Sequence, residues 1–107
     1  MEFLYNYDFD ENGIFYWLGT LGRTKPYKNP YTIGQVKVFF SSIGETSRLD
    51  YFVGRKLENC RTSNQEGSYM AIDLGENRFL YPKLYSIRNR DSQKHVLLNW
   101  VLEASED

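Results

Sequence analysis

The sequence predicts an all-β domain, a sandwich or a barrel, on three observations. Aromatic residues make up 17% of the chain, with nine Tyr, seven Phe and two Trp, a composition that favours pleated strands over helices. Apolar positions alternate with a period of two in several segments. Clusters of Gly, Pro, Asn, Asp and Ser cut the chain into short pieces at roughly ten-residue spacing, the punctuation of sandwiches and barrels. The chain has 107 residues, enough for one domain that buries a core without disulfide or metal staples.

Residues 14–20 (IFYWLGT) are aromatic and β-branched, bounded by Asn12-Gly13 and Gly22, and predict a strand. Residues 22–31 (GRTKPYKNPY) form a basic loop, because neither Pro26 nor Pro30 suits a central strand. Residues 35–42 (QVKVFFSS) alternate, with Val36, Val38 and Phe40 on one side and Lys37 and Phe39 on the other. Residues 47–53 predict a short helical turn ended by Gly54, and residues 61–68 (RTSNQEGS) a polar loop. Residues 69–74 (YMAIDL) read as a strand ending at Gly75, and residues 78–81 extend the pattern after a turn. Residues 84–89 read as a further strand and residues 89–94 as a charged loop. Residues 97–105 (LLNWVLEAS) close the chain, with Leu98, Trp100, Leu102 and Ala104 on one face. A helix fits residues 97–104 by propensity, but the alternation favours a strand. Tyr16, Trp17, Phe40, Tyr69, Tyr85 and Trp100 are expected in the core by their strand positions.

Thirteen basic and 14 acidic residues leave a net charge of −1, which predicts no bulk attraction to nucleic acid or to an anionic membrane. A single cysteine, Cys60, permits no internal disulfide. With no Asn-x-Ser/Thr sequon, no signal peptide and no apolar run long enough to span a bilayer, the sequence points to an intracellular, cytoplasmic setting.

Asp8-Phe9-Asp10-Glu11-Asn12-Gly13 matches the first half of an EF-hand loop, in which alternate oxygens converge on calcium. The match fails at the twelfth position, Gly19, where a bidentate Glu is required. The plainer reading is a turn with Asn-Gly at its tip. His95, the single histidine, lacks the spaced His/Cys set of a metal site, and Cys60 reads as a buried structural thiol. No phosphate-binding glycine loop, nucleophile elbow or zinc-protease motif occurs. Asp73 is expected to accept backbone donors in the turn before Gly75. No catalytic centre, metal or cofactor is therefore expected. The basic loop offers a binding surface instead: Arg23, Lys25 and Lys28 with Tyr27 between them suit an acidic peptide, a phosphate or a sugar face. The competing reading of these charges is an ordinary solvated surface.

Three segments in order, AIDLG (71–75), YPKLYSIR (81–88) and LLNWVLEASED (97–107), resemble the core of the galactose-binding-like jelly rolls. In that family a strand ending Asp-Leu-Gly leads to one ending in Arg, then to an Asn-Trp strand closing on Ser-x-Asp. Here Glu106-Asp107 stands where Asp-Gly is common. The earlier DFDENGIFYWLGTLGR…YKNP, a Val-rich strand, SS and NCRT are similar to a discoidin-like subgroup found in HECT-type ubiquitin ligases and BTB-domain proteins. The resemblance runs from Tyr7 to Asp107. It implies a single jelly-roll sandwich over residues 1–107 that lacks its usual last strands. Such a sandwich is cut short, rearranged, or completed by a partner or a second copy through its unpaired edges.

In this fold the loops at one end of the sandwich usually hold the ligand, so Arg61, Arg88, Arg90 and Lys94 join Arg23, Lys25, Tyr27 and Lys28 as candidates by analogy. For Arg88 the alternative is packing on Trp100 or pairing with Asp73. The implied function is a non-catalytic module binding a protein or peptide in ubiquitin ligation. The alternatives are a carbohydrate- or lipid-binding discoidin-like domain, for which Tyr27 is the one clear loop aromatic, and a structural half-domain in an assembly.

Overall fold

The computed structural model describes residues 2–83, 85 and 99–105. The elements run in the order α1 (Ile14–Gly19), β1 (Lys37–Phe40), a 3-10 helix (Leu49–Val53) and β2 (Met70–Asp73). The described chain is mostly non-helical, built on one small antiparallel sheet. Lys37 pairs with Asp73, Val38 with Ile72, Phe39 with Ala71 and Phe40 with Met70. The ladder continues through Ser41, whose N–H donates to the Tyr69 carbonyl at 2.9 Å.

The alternation in β1 is realised. Val36 and Val38 are buried while Lys37 and Phe39 are exposed, so the strand turns one face to the core. The buried residues Leu18, Val36, Val38 and Val53 make that core. Ile14, Phe15, Trp17, Tyr31, Phe40, Leu49, Ile72 and Leu74 pack around it. The 3-10 helix lies within the turn expected over 47–53 and ends at Gly54, whose N–H caps the Tyr51 carbonyl. Residues 61–68 hold no helix or strand. Asp73 accepts the Gly75 N–H at 2.9 Å, the expected turn contact.

Four expectations are corrected. Residues 14–19 are helical, not a strand. Ile14, Phe15, Trp17 and Leu18 fall at i, i+1, i+3 and i+4, and all four meet the core. That spacing gathers them on one side of a helix, and packing there overrides the strand propensity of the side chains. No strand forms over 78–81, nor over the described part of the last segment, 99–105. Tyr69, Tyr85 and Trp100 are 58%, 49% and 46% exposed, not core residues. Tyr85 and Trp100 instead meet edge to face, their centres 5.6 Å apart. The strand expected over 84–89 and the charged loop over 89–94 fall largely outside the described residues. No helix of the described residues is long and apolar enough to cross a membrane.

Candidate functional site

The basic loop is positioned by the C-terminal end of α1. Gly22 donates to the Trp17 carbonyl at 2.8 Å and Leu21 to the Leu18 carbonyl at 3.2 Å. These are the two bonds of a Schellman motif, with Leu21 in the left-handed position that glycine usually fills. Leu21 has φ 50°, Gly22 φ 72° and Arg23 φ 67°. A leucine and an arginine are thus held in a region that costs each about 1–2 kcal/mol.

Thr20, 3% exposed, holds this bend. Its hydroxyl donates towards the Tyr16 and Trp17 carbonyls at 3.0 and 3.1 Å and accepts the Arg23 N–H at 2.9 Å. Its carbonyl accepts the N–H groups of Thr24 and Lys25, each at 2.9 Å. Gly19 then lets the loop return against the helix. A Cβ there would lie 2.5 Å from the Lys28 carbonyl and 2.6 Å from the Tyr27 ring. Lys28 donates its N–H to the Gly19 carbonyl at 3.0 Å. Asn29 anchors the far side, donating Nδ2 to the Asp50 carbonyl at 2.8 Å and accepting the Tyr31 N–H at 2.9 Å.

Two adjoining depressions flank Leu21 and Gln35. The larger, about 410 Å³, is lined by Gly19, Leu21, Lys25, Pro26, Lys28, Ile33 and Gln35. The smaller, about 310 Å³, is lined by Trp17, Leu18, Leu21, Gly22, Gln35 and Arg78. Arg78 donates to the Gln35 carbonyl and to Gln35 Oε1, both at 2.7 Å, and to the Leu74 carbonyl at 3.0 Å. The groove floor is therefore pinned to the end of β2.

Of the candidate ligand residues, Lys25 and Lys28 line this groove together. Arg23 does not line it; its guanidinium donates to the Glu11 carbonyl at 3.1 Å. Arg61 does not line it either. It donates to the Thr62 carbonyl at 3.1 Å and lies against Gly44, where a Cβ would come within 2.7 Å of its side chain. Arg88, Arg90 and Lys94, with His95, lie outside the described residues.

Tyr27 is not the exposed loop aromatic that a sugar or lipid contact needs. Its ring stacks on Tyr16, centres 5.5 Å apart and planes 4° from parallel. Its hydroxyl is buried with no hydrogen-bond partner among the described residues. Burial pushes the pKa of this hydroxyl up, and the Arg55 charge pulls the other way. Sequence reasoning missed Arg55, which organises this corner. Its guanidinium lies 4.8 Å from the Tyr16 ring centre and 5.7 Å from that of Tyr27. It also donates to the carbonyls of Asp10 and Phe9 at 2.9 and 2.7 Å. It also missed Leu21, Pro26, Ile33, Gln35 and Arg78 as groove residues. The left-handed Leu21 had no signal in the sequence, and the others meet only through the fold.

The EF-hand-like segment spends its central carboxylate on its own backbone. Asp10 accepts N–H groups from Asn6 at 2.7 Å, Tyr7 at 3.3 Å and Asn12 at 3.0 Å. These donors, the Asn6 amide foremost, hold its carboxyl below the usual range. Among the described residues no group of three or more His, Cys, Asp or Glu side chains could hold a metal ion. Cys60 is half-buried. Burial foremost pushes its thiol up, and the S–H donates to the Arg48 carbonyl at 3.4 Å, a setting unlike that of an activated thiolate.

The chain is 38% identical over 105 residues to the E3 ubiquitin-protein ligase hecd-1 of Caenorhabditis elegans. That match covers 94% of this chain and 4% of hecd-1. It is 33% identical over 111 residues to the E3 ubiquitin-protein ligase Ufd4 of Drosophila melanogaster, covering 98% of this chain and 4% of Ufd4. The chain thus spans a small part of the length of the curated relatives it matches. No family model and no solved structure matches it. The two relatives are ubiquitin ligases, the context that the sequence resemblance implied.

Proposed function

We propose that the chain is a non-catalytic recognition module of the discoidin-like, jelly-roll type, and that it binds a protein or peptide during ubiquitin ligation in the cytoplasm. The observation that carries this reading is the alignment of 94% of the chain with one stretch of a ubiquitin ligase. The ordered motifs over residues 71–75, 81–88 and 97–107 support the fold type. Loop residues held by a rigid frame suit recognition, and the loop over 20–31 is held in this way by Thr20, Gly19 and Asn29.

A graft into hecd-1 tests the reading. Deleting the matched stretch of hecd-1 is expected to leave ubiquitin loading on the ligase intact while its set of ubiquitinated proteins changes. Inserting this chain in its place is expected to restore that set. Loss of ubiquitin loading on deletion would place the stretch in the transfer machinery and overturn the proposal.

A further inference from the structure

The strongest unassigned feature is the groove between the end of α1 and residues 25–35. Its floor is apolar, formed by Leu21, Pro26 and Ile33, and two lysines, Lys25 and Lys28, stand along it. Both lysines are exposed. Among the described residues the one ion pair joins Arg48 and Asp50, so neither lysine has a carboxylate partner there. The volume of about 410 Å³ falls within the roughly 300–1,000 Å³ typical of ligand clefts. The walls are set rather than soft. Leu21 is fixed by the Schellman bonds and Gln35 by Arg78.

We infer that this groove takes a short protein segment in which a leucine or phenylalanine is flanked by aspartate or glutamate. The inference rests on the recognition reading above and names the chemistry of its partner. The apolar side chain covers Leu21, Pro26 and Ile33, removing their surface from water. The flanking carboxylates neutralise Lys25 and Lys28, which have no carboxylate partner among the described residues and stand beside an apolar floor. Charge complementarity of this kind selects the partner and speeds encounter more than it adds affinity. Lysine presents a point charge rather than a planar fork, which suits carboxylates at variable register. Nucleic acid is disfavoured by the overall charge of −1.

The test is an array of 12-residue peptides, each with a central Leu or Phe, flanked by Asp/Glu, by phosphoserine, by Ser or by Lys/Arg. The full chain is compared with its Lys25→Glu/Lys28→Glu variant. Wild type is expected to prefer the Asp/Glu set. The double variant is expected to lose about tenfold in affinity for that set and to gain binding to the Lys/Arg set. Because both positions are exposed, the variant keeps its fold, and the gained Lys/Arg binding shows this directly. Rising salt is expected to weaken the wild-type interaction. Equal binding of all flanks, preference for phosphoserine alone, or binding unchanged by the double reversal overturns the groove assignment. So does failure of every peptide to bind. In each of those cases the hecd-1 graft still decides separately whether the chain is a recognition module.

Discussion

Arg55 lies over the ring of Tyr16, its guanidinium carbon 4.8 Å from the ring centre, although 39 positions separate them in sequence. The same guanidinium binds the carbonyls of Phe9 and Asp10. One side chain therefore fastens the N-terminal turn, helix α1 and the Tyr27 loop together. Replacing it with lysine keeps the charge but loses the planar fork. Arg55→Lys is expected to destabilise the chain by about 1–3 kcal/mol, read as a lower urea midpoint. An unchanged midpoint would mean that the clamp is ornamental.

Thr20 supplies three hydrogen bonds through one buried hydroxyl. Thr20→Val keeps the shape and removes all three. We expect a loss of about 1–3 kcal/mol, with Thr20→Ser retaining most of the wild-type stability in thermal unfolding. A valine variant as stable as the serine variant would contradict the role given to the hydroxyl.

Tyr27 provides the opposite case. Its buried hydroxyl finds no partner among the described residues, while its ring stacks on Tyr16. Tyr27→Phe keeps the stack and removes the unsatisfied group. It is expected to leave stability unchanged or raise it by up to about 1–2 kcal/mol. A marked loss in chemical denaturation would reveal a hydrogen bond essential to the fold.

Asp10 makes stability depend on acid. Its carboxyl is held below the ordinary aspartate value by backbone donors, the Asn6 amide foremost. The unfolded chain therefore binds a proton at this site more readily than the folded chain does. The stabilisation is fully present above the unfolded value and fades as pH falls through the lower folded value. Asp10→Asn removes this titration, so its stability is expected to change less steeply with pH below about 4 than that of the wild type. Parallel acid limbs in pH-dependent unfolding would sink the assignment.

The elements legible in the sequence are those fixed by local pattern. Alternation located β1, the run ending at Gly75 located β2, Gly54 located the end of the 3-10 helix, and the Asp73–Gly75 turn followed from side-chain chemistry. Helix α1 was misread because its aromatic and β-branched residues favour strands in isolation, whereas the core rewards the helical spacing of Ile14, Trp17 and Leu18. Half of the groove was legible: Lys25 and Lys28 share a basic loop. The other half came from Leu21, Ile33, Gln35 and Arg78, brought together by a left-handed bend and by contacts across 43 positions. Arg23 was grouped with the lysines by its place in the basic loop and Arg61 by analogy with the fold's end loops, and backbone carbonyls claim both.

The groove is tested most directly by nuclear magnetic resonance mapping of a titration with an Asp/Glu-flanked leucine peptide. The account predicts saturable shifts at the amides of Gly19, Leu21, Lys25, Lys28, Ile33 and Gln35, with Gly44 and Arg61 unmoved. Shifts centred on Gly44 and Arg61, or no saturable shift at the groove amides, would contradict it.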